Sequence, residues 1–430
     1  MRDGWEIIEL DHLCDKITVG YVGSMTKEYQ EDGVLFLRSK NINPFRLDLN
    51  DVRYIPKGFH HKIRKSALKA GDVVVVRTGY PGTSCVIPND LGETNCSDLV
   101  IVRPGKGLDS HFLCYYLNSS YGKGFIQGAL VGAAQQHFNI GVARKLPVPH
   151  PPITEQKEIV SVLSAYDELI ELNNRRIALL EQTAEQLYKE WFVRLRFPGY
   201  AQTKVRKGVP EGWKVKNIRS LVDFYIGGGW GAETSDATHN MPAYVIRGTD
   251  IPNLRKGDLN KGIYRYHKPS NLKKRLLKPC DIVFEVSGGS KGQPLGRNVL
   301  LSEKLISGFE NKVMCASFCK LIRPNKEIVS PYLLAGFLEL YHNTGVVGTF
   351  QVQSTGISNY QFEAFLDAQT LLVPSKNIQQ MFESKVKPIR DQIYLLGDHN
   401  QTLRRTRDLL LPRLISGQLS VAEAEIALNA

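Results

Sequence analysis

Basic, amide and hydroxyl side chains recur in three pairs of loops, with one loop of each pair in either half of the chain. The candidate residues are Arg38, Lys40, Asn41, Arg77, Thr78, Tyr80, Gln135 and Gln136 in the first half and Arg247, Thr249, Ser287, Lys291, Gln351 and Ser354 in the second. Arginine can read guanine through two hydrogen bonds, asparagine and glutamine can read adenine, and hydroxyl groups can hold phosphates. Any one of these residues could be an ordinary polar loop residue, but recurrence at matching places favours DNA binding.

The matching places belong to an internal duplication with a period of about 209 residues. Gly4-Trp5 returns as Gly212-Trp213, and Leu146-Pro147-Val148-Pro149 returns as Leu371-Leu372-Val373-Pro374. A period of this size indicates a duplicated domain, because solenoid repeats have periods of about 20–50 residues. Two related domains in one chain are suited to a target that has two parts.

Each copy has the pattern of a mixed α/β domain. Short β-branched and aromatic runs alternate with loops rich in Gly, Asn and Pro, and a short helix is predicted after the third strand. The predicted strands are 34–37, 72–76 and 99–102 in the first copy and 244–246, 281–284 and 320–322 in the second, and the predicted helices are 110–117 and 330–340. Most of the candidate loop residues directly follow these strands.

A long helix is predicted for residues 153–196, between the two copies. Pro151-Pro152 blocks a helix before it, and Thr154 has the type of an N-terminal cap. Apolar residues then recur at alternating spacings of four and three, the pattern of a coiled-coil seam. The seam includes Ile159, Leu163, Ile170, Asn173, Ile177, Leu187 and Trp191.

The same spacing recurs after the second copy, in residues 376–417. This seam includes Ile389, Ile393, Asn400, Leu403 and Leu410. Pro388 removes one backbone donor and should kink or restart the helix, and Pro412 and Gly417 should end it. Each helix could simply cap its own domain. A length of about 60 Å for about 40 residues instead favours an antiparallel intramolecular coiled coil, in which Asn173 and Asn400 set the register.

The sequence therefore predicts an α+β protein in which two duplicated mixed α/β domains are joined by two long helices. The predicted boundaries are 1–152 for the first domain, 153–196 for the central helix, 197–209 for a linker, 210–375 for the second domain, 376–417 for the distal helix and 418–430 for a C-terminal tail.

Composition favours a polyanionic partner. Lys and Arg number 55 against 43 Asp and Glu, a net charge of +12, which by itself is a weak signal. The chain has no apolar run near 18 residues and does not open like a signal peptide, so the cytoplasm is the default location. Seven cysteines without CxxC pairs indicate reduced thiols, neither a disulfide framework nor a zinc site.

The sequence shows no motif of a catalytic site. The glycine-rich runs at 227–229 and 288–292 match neither phosphate-binding pattern, GxxxxGK[ST] or GxGxxG. Asp281 and Glu285 resemble a nuclease arrangement, but Ser287 stands where its lysine would be. We therefore expect a chain that is not an enzyme and binds no metal or cofactor.

Four motifs in the same order resemble the DNA-specificity subunit of Type I restriction–modification systems, and the resemblance spans essentially the whole chain. Pro149-His150-Pro151-Pro152-Ile153-Thr154-Glu155-Gln156-Lys157 is similar to the family's lead into the central helix. Residues 189–199 and 409–417 resemble the ends of the family's central and distal conserved regions. Pro210-Glu211-Gly212-Trp213 resembles the start of the second target-recognition domain, whereas 374–380 is a degenerate version of the helix lead.

The resemblance implies two target-recognition domains, each of which binds one half of a split, asymmetric sequence in double-stranded DNA. The coiled coil would space the domains and dock two methyltransferase subunits, which carry S-adenosylmethionine and methylate adenines. Two restriction subunits, which are ATP-dependent motor nucleases, would complete the complex. S-adenosylmethionine, ATP and Mg are then expected on the partner subunits, and this chain is expected to be a non-catalytic specificity subunit.

Two other classes of protein remain open. A self-contained Type II-like DNA methyltransferase or nuclease would need a catalytic domain, for which the two copies and the two helices leave no room. A scaffold whose paired domains bind other proteins would lack the steep salt dependence of DNA binding.

Overall fold

A computed structural model describes residues 4–131, 137–259, 262–288, 294–353 and 356–429. The chain forms two compact units: residues 1–168 with 403–430 make unit 1, and residues 169–402 make unit 2. Each unit thus contains one copy of the duplicated domain and one part of each long helix. No helix in the described ranges is both long and apolar enough to cross a membrane.

Unit 1 begins with the strands and short helices of the first copy. They are β1 (Glu6–Glu9), β2 (Cys14–Val19), β3 (Val34–Leu37), β4 (Ile42–Asn43), β5 (Arg46–Leu47), β6 (Arg53–Ile55), β7 (Ala67–Leu68), β8 (Val73–Val76), β9 (Ser84–Val86), β10 (Thr94–Cys96), β11 (Leu99–Pro104) and β12 (Pro147–His150), with α1 (Lys57–Lys62), α2 (Ser110–Asn118), α3 (Ser120–Leu130) and α4 (Ile140–Arg144). Two four-stranded sheets have the orders β2-β11-β8-β9 and β6-β3-β10-β7. The four consecutive valines of β8 are all buried, as expected of a central strand with both faces covered.

The long helix α5 (Ile153–Tyr188) continues from unit 1 into unit 2, and the second copy follows it. Its strands are β13 (Val205–Arg206), β14 (Val209–Pro210), β15 (Lys214–Asn217), β16 (Val222–Gly227), β17 (Met241–Ile246), β18 (Ile263–His267), β19 (Ile282–Glu285), β20 (Ser287–Gly288), β21 (Asn298–Leu300), β22 (Val313–Cys315), β23 (Cys319–Pro324), β24 (Gln351–Gln353), β25 (Ser358–Tyr360) and β26 (Thr370–Val373). Its helices are α6 (Ile251–Arg255), α7 (Pro269–Arg275), α8 (Glu303–Ser307), α9 (Pro331–Asn343) and α10 (Phe362–Ala368), before α11 (Lys376–Ile415) and α12 (Val421–Asn429).

The main sheets of the two copies have matching strand orders, which confirms the duplication. The sheet β16-β23-β19-β21 repeats β2-β11-β8-β9, and β18-β17-β22 repeats β6-β3-β10. In both copies the second sheet contains one parallel pair, β3 with β10 and β17 with β22. The strand predictions are confirmed within one to three residues, and α2 and α9 are the helices expected after the third predicted strand.

The distal helix α11 runs unbroken through both of its prolines. Of the two outcomes expected at Pro388, a kink or a restart, the restart does not occur, and the expectation that Pro412 ends the helix is wrong, since the helix continues to Ile415. A proline in a helix removes only one backbone donor, and burial of Leu414 and Ile415 against the unit 1 core stabilises the turn that follows Pro412. Gly417, in the left-handed region at φ 70°, follows the end of the helix as predicted.

In unit 2 the two long helices pack against each other along the predicted seams. Asn173 donates a hydrogen bond to Asn400 at 3.0 Å, and Ile177 lies in one cluster with Ile393. Further along α5, the ring of Tyr188 packs against Phe382. Partner numbers on α11 fall as those on α5 rise, so the helices are antiparallel and the predicted coiled coil is confirmed.

The ends of the same helices pack against the first copy in unit 1. Ile159 and Leu163 share a core with Leu410. Arg407, a charged residue on the seam, forms an ion pair with Asp167 and lies over the ring of Phe45. Buried seam positions in unit 1 thus combine apolar packing with one paired charge.

The segment 418–430, predicted as a tail, contains helix α12. Ala424 of this helix is fully buried in the unit 1 core. Ser420 caps the helix by accepting a hydrogen bond from the backbone N–H of Glu423.

Candidate nucleic-acid interface

The first predicted loop is a tight 3-10 turn at the carboxyl end of β3. The Asn41 carboxamide oxygen accepts from the Arg38 backbone N–H at 3.0 Å, and its amide donates to the carbonyls of Asp48 and Asp51 at 2.9 and 3.0 Å. Asn41 is only 1% exposed. Both amide N–H groups and the carboxamide oxygen are therefore engaged inside the loop, so in this conformation Asn41 positions the turn and has no amide N–H free for a base.

Arg38 and Lys40 project from this turn towards one carboxylate. Arg38 donates to the backbone carbonyl of Asp51 at 2.6 Å, and Lys40 forms an ion pair with the Asp51 side chain. The hydrogen bond from Lys40, with the charges of both basic residues, lowers the pKa of Asp51. Lys40 is about half exposed. A polyanion could thus replace Asp51 as the partner of Lys40 without a change in the fold.

The second loop of unit 1 follows β8. The Arg77 guanidinium donates to the Phe138 carbonyl at 3.2 Å and to Asp98 at 2.5 Å, so Arg77 joins three segments of the unit. Thr78 hydrogen-bonds His137 at 3.1 Å, whereas the Tyr80 side chain is 83% exposed. Tyr80 is therefore the most accessible predicted contact in this loop, and Arg77 mainly supports the loop.

Unit 2 repeats the first turn with different side chains. At the end of β17 the Asp250 carboxylate accepts from the Arg247 backbone N–H at 2.9 Å, as Asn41 does for Arg38. The same carboxylate holds the Arg247 guanidinium through two further bonds of 3.0 and 2.7 Å, which raise the pKa of Arg247. Thr249, between them, is exposed.

The structure brings three predicted residues of unit 2 to one cleft. Arg247, Thr249 and Ser287 line a cavity of about 620 Å³. Two partly exposed aromatic side chains, Trp230 and Phe318, form part of its wall. A cleft with apolar walls and a few polar groups is the usual form of a recognition site.

Two of the residues predicted to contact DNA in unit 2 have hydrogen-bond partners within the unit. The Ser287 hydroxyl donates to the Asn359 side chain at 2.6 Å, and the Gln351 carboxamide accepts from the Leu295 backbone at 3.1 Å. Four other predicted contacts, Gln135, Gln136, Lys291 and Ser354, lie outside the described residues.

Comparison with known proteins shows which proteins this chain resembles. Residues 2–182 match the Type I restriction modification DNA specificity domain. The Type I restriction enzyme MjaIX specificity subunit of Methanocaldococcus jannaschii is 23% identical over 442 residues, which cover 97% of this chain and 94% of that protein. The EcoKI specificity subunit of Escherichia coli K12 is 21% identical over 302 residues, 67% of this chain and 63% of that protein. Residues 2–182 thus match a Type I DNA specificity domain, and the chain is similar over nearly its whole length to Type I specificity subunits.

A solved structure has the same fold as this protein. The crystal structure of a Type I restriction–modification S subunit from M. genitalium covers 96% of this chain and 97% of its own, with a TM-score of 0.54 and 15% sequence identity. The likeness shows the shared architecture of two mixed domains and long helices.

In both domains of this protein a buried carboxylate supports the central strand. Asp72 accepts two hydrogen bonds of 2.7 Å from Arg103, and Asp281 accepts bonds of 2.8 and 2.7 Å from Arg323. These paired bonds raise the pKa of both arginines. The duplicated sequence contains both pairs, but their 31- and 42-residue separations hid the contacts.

A second set of hydrogen bonds, present in both copies, joins each long helix to its domain. The Gln156 side chain accepts from the Asp109 backbone at 2.8 Å and donates to the Pro151 carbonyl at 2.9 Å. Gln379 repeats both contacts with Ser330 and Pro374 at 2.7 and 2.9 Å. The helix lead at 374–380, though degenerate in sequence, thus keeps the residue that makes these contacts.

One buried ion pair is present in the second domain and replaced in the first. Glu285, 2% exposed, accepts two hydrogen bonds from Arg297, at 2.8 and 2.5 Å, in the wall of the unit 2 cleft. The strand pairings place Val76 and Thr83 at the equivalent positions of unit 1. The two domains therefore present different chemistry at the same place.

Proposed function

We propose that this protein is a Type I specificity subunit that reads a bipartite, asymmetric target in double-stranded DNA, with one half bound by each domain. The observation that carries the proposal is the repeated turn at Arg38 and Arg247. The same backbone device follows equivalent strands, so each domain presents its side chains from an equivalent edge.

The side chains at that edge have diverged, which fits two unlike half-sites. The turn carries Lys40 in unit 1 and Thr249 in unit 2. The strand that follows carries Val76 in unit 1 and the ion-paired Glu285 in unit 2. Since each base pair presents its own pattern of donors and acceptors in the major groove, different side chains on one scaffold select different sequences.

The proposed contacts are the accessible candidates. In unit 1 these are Lys40, Thr78 and Tyr80, and in unit 2 they are Arg247, Thr249 and Ser287. Lys40 and Arg247 must exchange their internal carboxylate partners for DNA acceptors, a charge-for-charge replacement. Asn41 and Arg77 act by positioning their loops.

Catalysis in this proposal belongs to partner subunits. Two methyltransferase subunits would dock on the coiled coil and supply S-adenosylmethionine, and two restriction subunits would supply ATP- and Mg-dependent cleavage. Leu169, Leu172 and Leu179 support a docking role, because these α5 side chains are 45%, 52% and 62% exposed. Exposed apolar residues along a helix whose seam is already filled are typical of a protein interface.

Substitutions that should each affect only one half-site test the proposal. With the target defined by methylation sequencing of the assembled complex, Tyr80→Ala should weaken discrimination at one half only, and Arg247→Ala at the other half only. Loss of a base contact costs about 1–3 kcal/mol at one position. Competition binding with targets altered in one half at a time measures both, and Tyr200→Ala, an exposed tyrosine outside both turns, is the control. Equal loss at both halves from either substitution contradicts the assignment.

A further inference from the structure

Two segments without acidic residues hold the entire net positive charge of the chain. Residues 52–71 and 259–280 together contain 13 Lys and Arg and no Asp or Glu, whereas the whole chain has 55 and 43. The remaining 388 residues therefore contain 42 basic and 43 acidic residues and are almost neutral. The net charge of +12 is thus concentrated in about a tenth of the sequence.

The two segments occupy the same place in the two domains. Each contains the outer strand of the second sheet, β6 or β18, followed by a short basic helix, α1 or α7. The outer strands pair antiparallel with β3 and β17, the strands that end in the Arg38 and Arg247 turns. Each segment is followed immediately by the buried Asp72 or Asp281.

In unit 1 the segment returns to the strand edge that bears the Arg38 turn. The Cys96 thiol donates to the Ser66 carbonyl, and Cys96 pairs with Leu37, the residue before Arg38. Arg64 and Lys65 directly precede Ser66 and therefore lie at this same edge.

In unit 2 the helix α7 ends at the corresponding edge. Arg275 donates to the Gly227 carbonyl at 2.8 Å, and Gly229 donates to the Cys315 carbonyl at 2.9 Å. Cys315 pairs with Ile246, the residue before Arg247. The basic last turn of α7 therefore lies beside the proposed reading turn, as in unit 1.

Five exposed charges on these segments are free, unlike those on the reading turns, whereas Arg265 forms an ion pair with Glu233. Among the described residues, Lys62, Arg64, Lys65, Lys273 and Lys274 are exposed and have no carboxylate partner. Cations in a last helical turn also stabilise the helix dipole. That effect is confined to one turn, so it does not account for the absence of acidic residues over the preceding strand and the following loop.

We propose that residues 52–71 and 262–280, the described parts of these segments, are the phosphate-binding edges of the two domains, one for the backbone of each half-site. This inference rests on the proposed function. The division of labour is physical: unpaired lysines attract phosphates of any sequence, while the adjacent turns read bases.

Salt dependence of DNA binding by the full chain tests this inference. We expect Lys62→Gln/Lys65→Gln and Lys273→Gln/Lys274→Gln each to reduce the slope of log affinity against log salt by about 0.9 per lost contact. The reduction should be equal on target DNA and on scrambled duplex, so the preference for target stays unchanged. Arginine replacements at the same positions should restore the slope.

Matched controls remove two exposed lysines from each domain away from these edges. Lys106→Gln/Lys145→Gln in unit 1 and Lys204→Gln/Lys214→Gln in unit 2 remove the same charge. Lys106 follows Gly105, which bonds Leu13 at the opposite end of β11 from Leu99. A slope change in these controls as large as in the segment variants would show a general charge effect and overturn the inference.

The test separates this inference from the proposed function. If wild-type protein shows no preference for target over scrambled DNA, the proposed function fails. If wild-type protein prefers its target but the segment variants keep its salt slope, only the phosphate-edge assignment fails. Loss of methyltransferase assembly with an unchanged salt slope would show that the basic edges bind protein, which also overturns the inference.

Discussion

Asn173 and Asn400 form a hydrogen bond of 3.0 Å across the seam between the two long helices. Asn400 also donates to Asn174 at 3.1 Å, and the two seam asparagines are 4% and 2% exposed. Apolar residues occupy the adjacent seam positions, and a shift of one heptad would separate the two buried amides from each other. Burial of an unpaired amide is costly, and the pair therefore fixes one register.

Asn173→Leu should destabilise unit 2 by about 1–3 kcal/mol, because the Asn400 carboxamide oxygen is left buried without its donor. The double substitution Asn173→Leu/Asn400→Leu should restore most of that stability, since both polar groups are removed together. Urea denaturation of the full chain measures both effects. Arg176→Ala, an exposed position on the same helix, is the control. Equal destabilisation by the single and double variants would contradict the register role.

Arg323→Gln should destabilise unit 2 by about 3 kcal/mol, because Asp281 is only 2% exposed and loses both charged hydrogen bonds. The same measurement on Arg103→Gln should show a similar loss in unit 1, through Asp72. Arg175→Gln breaks an exposed pair with Glu171 and should cost about 0.5 kcal/mol or less. The outcome that contradicts this prediction is a loss at Arg323 no larger than at Arg175.

The architecture was predictable because its signals are local or repeated. The four-three spacing identified both helices and paired Asn173 with Asn400, and the duplication identified matching strands. The helix neither restarts at Pro388 nor ends at Pro412, because packing by neighbouring residues decides whether a helix tolerates a lost backbone donor.

The candidate contacts were only partly predictable. Residue type marks Asn41 and Arg77 as DNA readers, but their partners in the fold use them to hold loops. Arg77 bonds a carbonyl 61 residues away, a distance that no sequence pattern reveals. The two segments without Asp or Glu can be recognised in the sequence. Their position beside the Arg38 and Arg247 turns follows only from the strand pairing.

Acid should destabilise unit 2 through His267. This side chain is 1% exposed, and both ring nitrogens lack a hydrogen-bond partner in the described part of the protein. Burial first, and then the charge of His239, lowers the pKa of His267 below its usual 6.5. The folded state therefore favours the neutral ring, while the unfolded state takes up a proton near pH 6.5.

The contribution of neutral His267 to the free energy of unfolding is thus complete above pH 6.5. It is lost as the pH falls from 6.5 towards the lowered pKa. Over this range it contributes up to about 1.4 kcal/mol per pH unit. Urea denaturation between pH 7.5 and 5 should show a shallower pH dependence in His267→Gln than in wild type. His150→Gln, with an exposed hydrogen bond to Gly107, should keep the wild-type slope. An unchanged slope in His267→Gln would contradict the prediction.

The length of the coiled coil should set the gap between the two half-sites. An extra heptad inserted between Glu168 and Leu169, with another between Thr402 and Leu403, lengthens both helices at the boundary of the two units. These sites leave the contacts within each unit intact. Seven residues add about 10 Å of helix, equivalent to roughly three base pairs. The preferred gap should therefore increase by about three base pairs while both half-sequences stay the same.

The preferred gap can be measured by methylation of a DNA library in which the gap varies. The variant is assembled with its methyltransferase partner for this experiment. The same seven residues inserted after Gln202 lengthen the connection between helix and second domain without lengthening either helix, so this control should keep the wild-type gap. A single insertion in α5 places its seam out of step with α11 and should abolish the strict gap, because the Asn173–Asn400 pair then lies a heptad away from the contacts of unit 1. A wild-type gap in the doubly extended protein would show that the helices do not measure the distance between the half-sites.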